Sequence, residues 1–454
     1  MMCRPFLFCS VLLCLSTSTL ASSPSWNHKV NVDLGYVDES DRDLGHSDGG
    51  ASRNGYVRLT GQADYQVTPD LLFMAKARGF YSTNSINLEP EEGGQSSDGY
   101  LALQQLYFTM ENILTPTLSA SIGHKRLKEN SGLWWDRNIT MASVNYDRSL
   151  FSGFVAIAEQ VNSFRTDGSD YQNKDTDIFR IMAGTSWQWK YHHYFDVNYS
   201  YINDHSGAKN TRLDEVNNGI DLLDPKTHWI GIHPHGQYPI NDNFSLSYNG
   251  QYIIQKGQVT RYETGNRQVS TAQEKDVDAW LVQSDLQLEF NSKYQPVLGV
   301  QYVTTSDNSD SDTEGRFFQT GLQSNRSRIT ANGTSITRYN DAFRPELSNI
   351  SIIGTYLGIK FSETINLNLV VNKFSRVNSD LNIGYSGINS PLVVGEKDLG
   401  VGADVVVNYN NAVNGDFFKA SIVQLRLSSF YPGDAYSQQD GKKHRIWLNW
   451  RVNI

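Results

Sequence analysis

Hydrophobic and polar residues alternate, one by one, along nearly the whole chain. Between His444 and Ile454, the residues Ile446, Leu448, Trp450, Val452 and Ile454 share one face of an extended strand. Arg445, Asn449, Arg451 and Asn453 share the other. Successive side chains of a strand point to opposite faces, so such a segment divides an apolar medium from water. Only a closed barrel satisfies strand backbones within a bilayer, and the pattern therefore predicts outer-membrane barrel strands. Phe244, Leu246, Tyr248, Gly250 and Tyr252 against Ser245, Ser247, Asn249 and Gln251 repeat it cleanly. Stretches of this kind number about eighteen. They lie near 28–36, 55–65, 70–81, 99–112, 116–126, 138–148, 152–161, 177–189, 193–204, 227–236, 242–254, 276–290, 295–304, 348–361, 364–376, 399–409, 417–428 and 442–453.

The connections alternate in length. Segments 37–54, 82–98, 205–226, 255–275, 305–347 and 377–398 are long and rich in Gly, Ser, Asn and Asp. Short turns such as Gln66 to Pro69, Tyr238 to Asp242 and Asn291 to Ser292 sit between them. The expected fold is all-β: a transmembrane antiparallel β-barrel of about 18 strands, with long extracellular loops and short periplasmic turns. An even strand number puts both termini in the periplasm, and a barrel of this size leaves an aqueous lumen. Nothing suggests a second domain, so 22–454 is expected to form one monomeric barrel in the bacterial outer membrane, among its lipids.

Composition agrees. Tyr 24, Phe 20 and Trp 9 supply the aromatic girdles that such barrels need at both interfaces. The first residues hold one basic group, Arg4, an apolar run from Pro5 to Leu15 and small residues up to Ala21. That is the pattern of a secretory signal peptide over 1–21, and the run is too short to span a membrane. Cys3, Cys9 and Cys14, the three cysteines, all fall inside it, so the mature chain is expected to be thiol-free. Leu13 is too large for a lipoprotein site before Cys14. The formal net charge of -9, or -10 once Arg4 is removed, argues against a nucleic-acid partner.

Parity assigns faces to the charges. With Val57 and Leu59 outward, Arg58 points inward; with Phe73, Ala75 and Ala77 outward, Lys76 and Arg78 do the same. Arg180, Arg426, Arg445 and Arg451 follow by the same count. A charge at the lipid midplane costs ~2–4 kcal/mol, which favours the inward reading. Two roles remain open for these cations. They can form a ladder of weak sites for the carboxylates of a polymer. They can also brace the wall by pairing with inward acids such as Asp33, Asp64, Asp196, Asp285, Glu289 and Asp404.

Other motifs carry less. Asp310, Asp312 and Glu314 begin like a calcium loop, but Gly321 stands where the closing Glu belongs. His233 and His235 share a strand face, yet two metal ligands without a third are usually incidental. No nucleophile elbow or phosphate-cradling loop occurs. No enzyme activity, cofactor or metal is expected.

A set of short motifs runs through the chain in order. FQTGLQSNRS from Phe318 is followed by RYNDAFRPELSN from Arg338 to Asn349. DRDLG from Asp41, RLKENSG from Arg126, FRTD from Phe164, WQW from Trp187, GEKDLG from Gly395 and PGDAY from Pro432 accompany them. Together they resemble the alginate-export outer-membrane porin family. The resemblance implies an eighteen-stranded barrel that passively releases an anionic exopolysaccharide, with alginate the expected polymer, through an arginine-lined lumen capped by loops. It also implies periplasmic scaffold and polymer-processing partners. It adds Arg126, whose parity is ambiguous, and draws attention to Arg326, Arg328, Arg338 and Arg344 in the longest loop. Of these, Arg326 and Arg344 are expected to contact the polymer or fix the constriction, the alternative being that they only pin the loop through Glu346 and nearby acids. Gln104, Ser335 and Gln424 stand where the resemblance leads one to expect basic residues. The turn from Asn410 to Asp416 is shorter than a loop able to plug the pore. The competing function is an anion-selective diffusion porin for uptake of acidic oligosaccharides.

Overall fold

The structure, a computed structural model, describes residues 25–40, 42–44, 51–86, 88, 97–168, 170, 177–205, 223–265, 268–310, 312–327, 336–411, 420–437 and 441–454. The expected leader, the acids Glu89 to Glu92, Arg328, Ser335 and most of the Asn410 to Asp416 turn lie outside these residues. Among the described residues the strands are β1 (Ser25–Glu39), β2 (Ser52–Thr68), β3 (Leu71–Ile86), β4 (Ser97–Met110), β5 (Leu118–Lys128), β6 (Asp136–Asp147), β7 (Phe151–Glu159), β8 (Ile178–Lys190), β9 (His193–Asp204), β10 (Leu223–Asn241), β11 (Phe244–Gly265), β12 (Gln268–Phe290) and β13 (Val297–Thr305). Three two-residue pieces follow: β14 (Thr313–Glu314), β15 (Arg326–Ser327) and β16 (Ile336–Thr337). The wall then resumes with β17 (Ile350–Lys360), β18 (Ile365–Arg376), β19 (Asp398–Asn410), β20 (Ala420–Pro432) and β21 (Lys443–Asn453).

Eighteen strands, all but β14 to β16, form one closed antiparallel barrel. Each pairs with its sequence neighbour, and β13 pairs directly with β17. Closure comes from β1 lying against β21, from Asn31 opposite Asn453 to Glu39 opposite Arg445. The apolar face predicted by alternation is the outer face. Leu59, Leu101, Ile122, Ile157, Ile230, Leu298 and Ile353 are all exposed. Trp189, Tyr191, Tyr238, Tyr294, Phe361 and Tyr409 are exposed near the short turns, as a girdle requires. Tight turns there use left-handed residues such as Asn112, His192 and Gln295.

Strand ends differ from the sequence expectation where polar residues continue the ladder. Segment 255–275 was expected to be a loop, yet β11 and β12 pair through most of it, from Gln255 opposite Ala279 to Gly265 opposite Gln268. The apolar alternation stops at the membrane edge, but hydrogen bonding between two strands does not need lipid beside it. In β5, Gly123 has φ 133 and interrupts the alternation. That irregularity is why parity fails near Arg126.

A charged cluster holds the closing seam. Asp33 on β1 is buried and accepts from Arg58 Nε of β2 at 3.1 Å and from Arg451 Nε of β21 at 2.7 Å. Trp447 Nε1 donates to Tyr56 Oη at 2.7 Å, and Tyr56 Oη donates to Asn449 Oδ1 at 2.7 Å. Asp33→Ala leaves the buried Arg58 without its counter-charge, a loss of about 3–5 kcal/mol. The variant barrel should therefore unfold at a distinctly lower temperature in a heat-modifiability gel. Arg451→Ala, removing a half-exposed partner, should shift that temperature far less.

Candidate functional site

The lumen is not empty. Segment 306–349, between β13 and β17, folds into the barrel, and most of its described residues are buried. A chain segment without its own regular structure can be buried only if its backbone polar groups find partners, and here the inner wall supplies them. Phe318 N donates to Gln255 Oε1 of β11 at 2.9 Å, and Trp229 Nε1 of β10 donates to Phe318 O at 2.8 Å. Asn340 Nδ2 reaches Asp404 Oδ1 of β19 at 3.1 Å and Ser428 Oγ of β20 at 3.0 Å. The amides of Asp341 and Ala342 donate to those same two side chains, at 3.0 and 2.8 Å. Gln301 and Asn372 both donate to Arg338 O, from β13 and β18. Apolar packing closes the layer, with Phe343 stacked on Phe430 at 4.4 Å and edge-on to Phe374 at 4.8 Å.

Two other loops fold against this segment. The turn after β5 carries Trp134 and Trp135, both almost fully buried, and Trp134 Nε1 donates to Gln251 Oε1 at 3.1 Å. Its Gly132 has φ 70, and a Cβ there would collide with the carbonyl oxygen of Arg326. The β18–β19 connection is tied down by Arg376, whose guanidinium donates to the carbonyls of Leu381, Val393 and Glu396. The tryptophan pair was missed from sequence; an apolar Leu133-Trp134-Trp135 run in an otherwise polar connection is the signal that could have found it.

The expected site residues divide into groups. Arg58 and Arg451 share Asp33 at the seam. Arg344 Nη2 lies 2.9 Å from Glu39 Oε1, beside the fully buried Lys443 Nζ at 2.8 Å. Arg445 faces Glu39 at 3.8 Å and Asp341 at 3.5 Å. Arg344 thus meets an acid of the wall, while Glu346 accepts the Tyr385 amide at 3.2 Å. Arg126 pairs with Asp136 at 2.6 Å, and the other oxygen of Asp136 accepts from Ser324 Oγ of the inserted segment. Arg180 Nη1 donates to Thr320 O at 2.8 Å. Arg426 donates to Gln424 and lies over the Trp447 ring at 4.4 Å. Arg326 enters the two-residue β15–β16 ladder. Lys76 and Arg78 sit on β3 opposite Gln62 and Thr60 of β2, both half-buried. The structure therefore brings Arg344, Arg426 and Arg445 together around Asp341 and leaves Arg58 and Lys76 elsewhere on the wall. Burial opposes ionisation of Asp341, yet Arg445, Arg426, Arg344 and Arg326 hold its carboxyl well below the usual carboxylate range. Glu314, part of the calcium-like stretch, is engaged by Arg261 at 2.7 Å.

Beside the inserted segment a recess opens against β4 to β8. Gln104, His124, Arg137, Arg165 and Arg180 line it with Asp170, and Gly321 and Leu322 of the segment close one side. Arg165 lies over the Tyr100 ring at 3.6 Å and pairs with Asp167 at 2.7 Å. Arg137 was not singled out from sequence, because it follows the irregular β5–β6 turn, and Arg165, in a loop, entered only as part of the FRTD motif and not as a site residue. The anchoring of the segment gives a first test of this site. Arg338, a buried residue of the segment, lies 3.0 Å from the buried Asp285 of β12. Arg338→Ala should cost about 3–5 kcal/mol locally. Single-channel currents of the variant should become larger or noisier while the barrel stays folded; unchanged currents would show that other contacts hold the segment.

The comparisons with known proteins agree with this architecture. The family described as "Alginate export" matches residues 30–449. The alginate production protein AlgE of Pseudomonas aeruginosa is 29% identical over 460 residues, covering 94% of this chain and 92% of that protein. AlgE of Azotobacter vinelandii is 27% identical, covering 97% of both. Among solved structures, the outer-membrane protein OpdK of Pseudomonas aeruginosa aligns with a TM-score of 0.59 at 9% identity, over 95% of this chain and 98% of that one. OccAB3 of Acinetobacter baumannii aligns with a TM-score of 0.59 at 9% identity, over 94% and 99%. At such identity these structures speak for the fold alone, an outer-membrane barrel of porin type. Sequence match and architecture coincide over nearly the full length, and the chain belongs to the alginate export family.

Proposed function

We propose that this barrel is the outer-membrane conduit for an anionic uronate polysaccharide, alginate, which leaves by passive conduction beside the inserted segment. The observation that carries the reading is the recess itself. Arg137, Arg165, Arg180 and His124 surround an opening that contains one carboxylate, Asp170. A polymer with one carboxylate per sugar meets there a succession of donors, several already engaged by the protein and therefore weak. Weak, repeated sites allow a chain to slide without being trapped. The guanidiniums bound to Asp33, Glu39 and Asp136 take the other role, holding the wall and the segment in place. The family relationship supports alginate as the polymer, since the relatives are named for its production. Periplasmic partners would deliver the chain to the short-turn end of the barrel.

In planar bilayers the pore should prefer anions, despite the acidic loops, because charge at a constriction outweighs charge beyond a Debye length of ~8–10 Å. A reversal potential of the opposite sign would contradict the proposal. Added polyuronate should block the current, and dextran of equal size should not. Replacing Arg137 and Arg180 together by glutamine should weaken the block about tenfold, the equivalent of ~1.4 kcal/mol. Equal block by the neutral polymer would argue for a general diffusion pore.

A further inference from the structure

We propose that the lumen wall carries a binding site for a divalent transition-metal ion, built by Asp196 of β9 with His233 and His235 of β10. Register creates it. Asp196 lies directly opposite His233 across the β9–β10 ladder, and His235 is the next residue on the same face. His233 Nδ1 stands 3.3 Å from Asp196 Oδ2, and His235 Nε2 stands 3.0 Å from the same oxygen. The three ligand atoms all lie within 4.8 Å of one another. In a tetrahedral zinc site with bonds of ~2.0–2.1 Å, neighbouring ligand atoms are ~3.3 Å apart. Small side-chain rotations therefore convert this arrangement into a coordination sphere.

The hydrogen bonds around the cluster explain why a cation belongs there. His233 Nε2 lies 3.0 Å from Asn249 Oδ1 of β11, an acceptor that the Nε2–H tautomer satisfies. In that tautomer Nδ1 presents its lone pair toward Asp196, as a metal ligand does. Neither His233 Nδ1 nor Asp196 Oδ1 has a hydrogen bond among the described residues, although both are buried. A metal ion between them gives both a partner, and Asn249 takes the outer-sphere position that fixes a ligating imidazole. Tyr194 stacks on His235 at 5.1 Å and an interplanar angle of 12°, holding the second ring. Two imidazoles and one carboxylate select zinc or a similar borderline ion over calcium or magnesium, which prefer oxygen ligands. His233 is buried, while the side chains of Asp196 and His235 keep 18% and 27% of their exposure. The fourth coordination position therefore faces the lumen. The inference does not depend on which polymer passes.

The test uses the full chain, purified in detergent without an affinity tag, and Zn2+ competed against a chromophoric chelator. One zinc ion per barrel should be retained by the wild type. Asn249→Ala should weaken binding ~10–100-fold, as expected for an outer-sphere partner. His233→Gln, His235→Gln and Asp196→Asn should each weaken it at least as much, with folding checked by heat-modifiable migration. Co2+ should give the intense visible absorption of a tetrahedral site in the wild type. A wild-type barrel that holds no zinc overturns the proposal, as does retention undiminished in the folded His233→Gln/His235→Gln variant.

Discussion

Closure of the hydrogen-bond ladder between β1 and β21 is the constraint on which the rest of this structure depends. A bilayer offers no water to an unpaired strand edge, so the first and last strands must meet. Their meeting places Asp33, Arg58 and Arg451 on three consecutive strands within contact of one another. It also sets the circumference, and eighteen strands enclose a space too wide for wall side chains to fill. The lumen must hold either water or further protein, and in this barrel segment 306–349 occupies part of it.

That space is organised as a polar core. Its outer shell is the inner face of the strands, where Gln301, Asn372, Asp404 and Ser428 offer fixed donors and acceptors. Its inner layer is segment 306–349 with the Trp134-Trp135 turn and the β18–β19 connection packed on it. Charges in such a core are stable only when paired, which explains why Arg338, Arg344 and Arg445 each face a carboxylate. Guanidiniums hold the segment, and one of them, Arg180, also borders the recess beside it. Of the two roles raised by the sequence, bracing is visible directly in the ion pairs of Arg58, Arg126, Arg344 and Arg445.

Much of the wall was legible beforehand. β9 matches its expected range of 193–204, and the alternation in β2, β8, β20 and β21 puts Arg58, Arg180, Arg426 and Arg445 on the face opposite the apolar residues. The site was less legible. Arg344 pairs with Glu39, 305 residues away in sequence, and no local pattern announces such a partner. The His233–His235 pair was visible, but its third member lay on another strand. Gln104 and Gln424 depart from the basic residues expected there; Gln424 instead bridges Asn408 and Arg426 in the wall.

The sequence by itself determined the membrane-spanning strands, their number, their inward and outward faces and the family, because a two-residue period and a set of ordered motifs are local properties of the chain. Only the tertiary structure decided which way the longest loop folds, which arginines brace and which border the recess, and which residues complete a cluster across strands. Those outcomes depend on register and closure, and these bring together residues hundreds of positions apart through backbone hydrogen bonds that carry no signature in side-chain order.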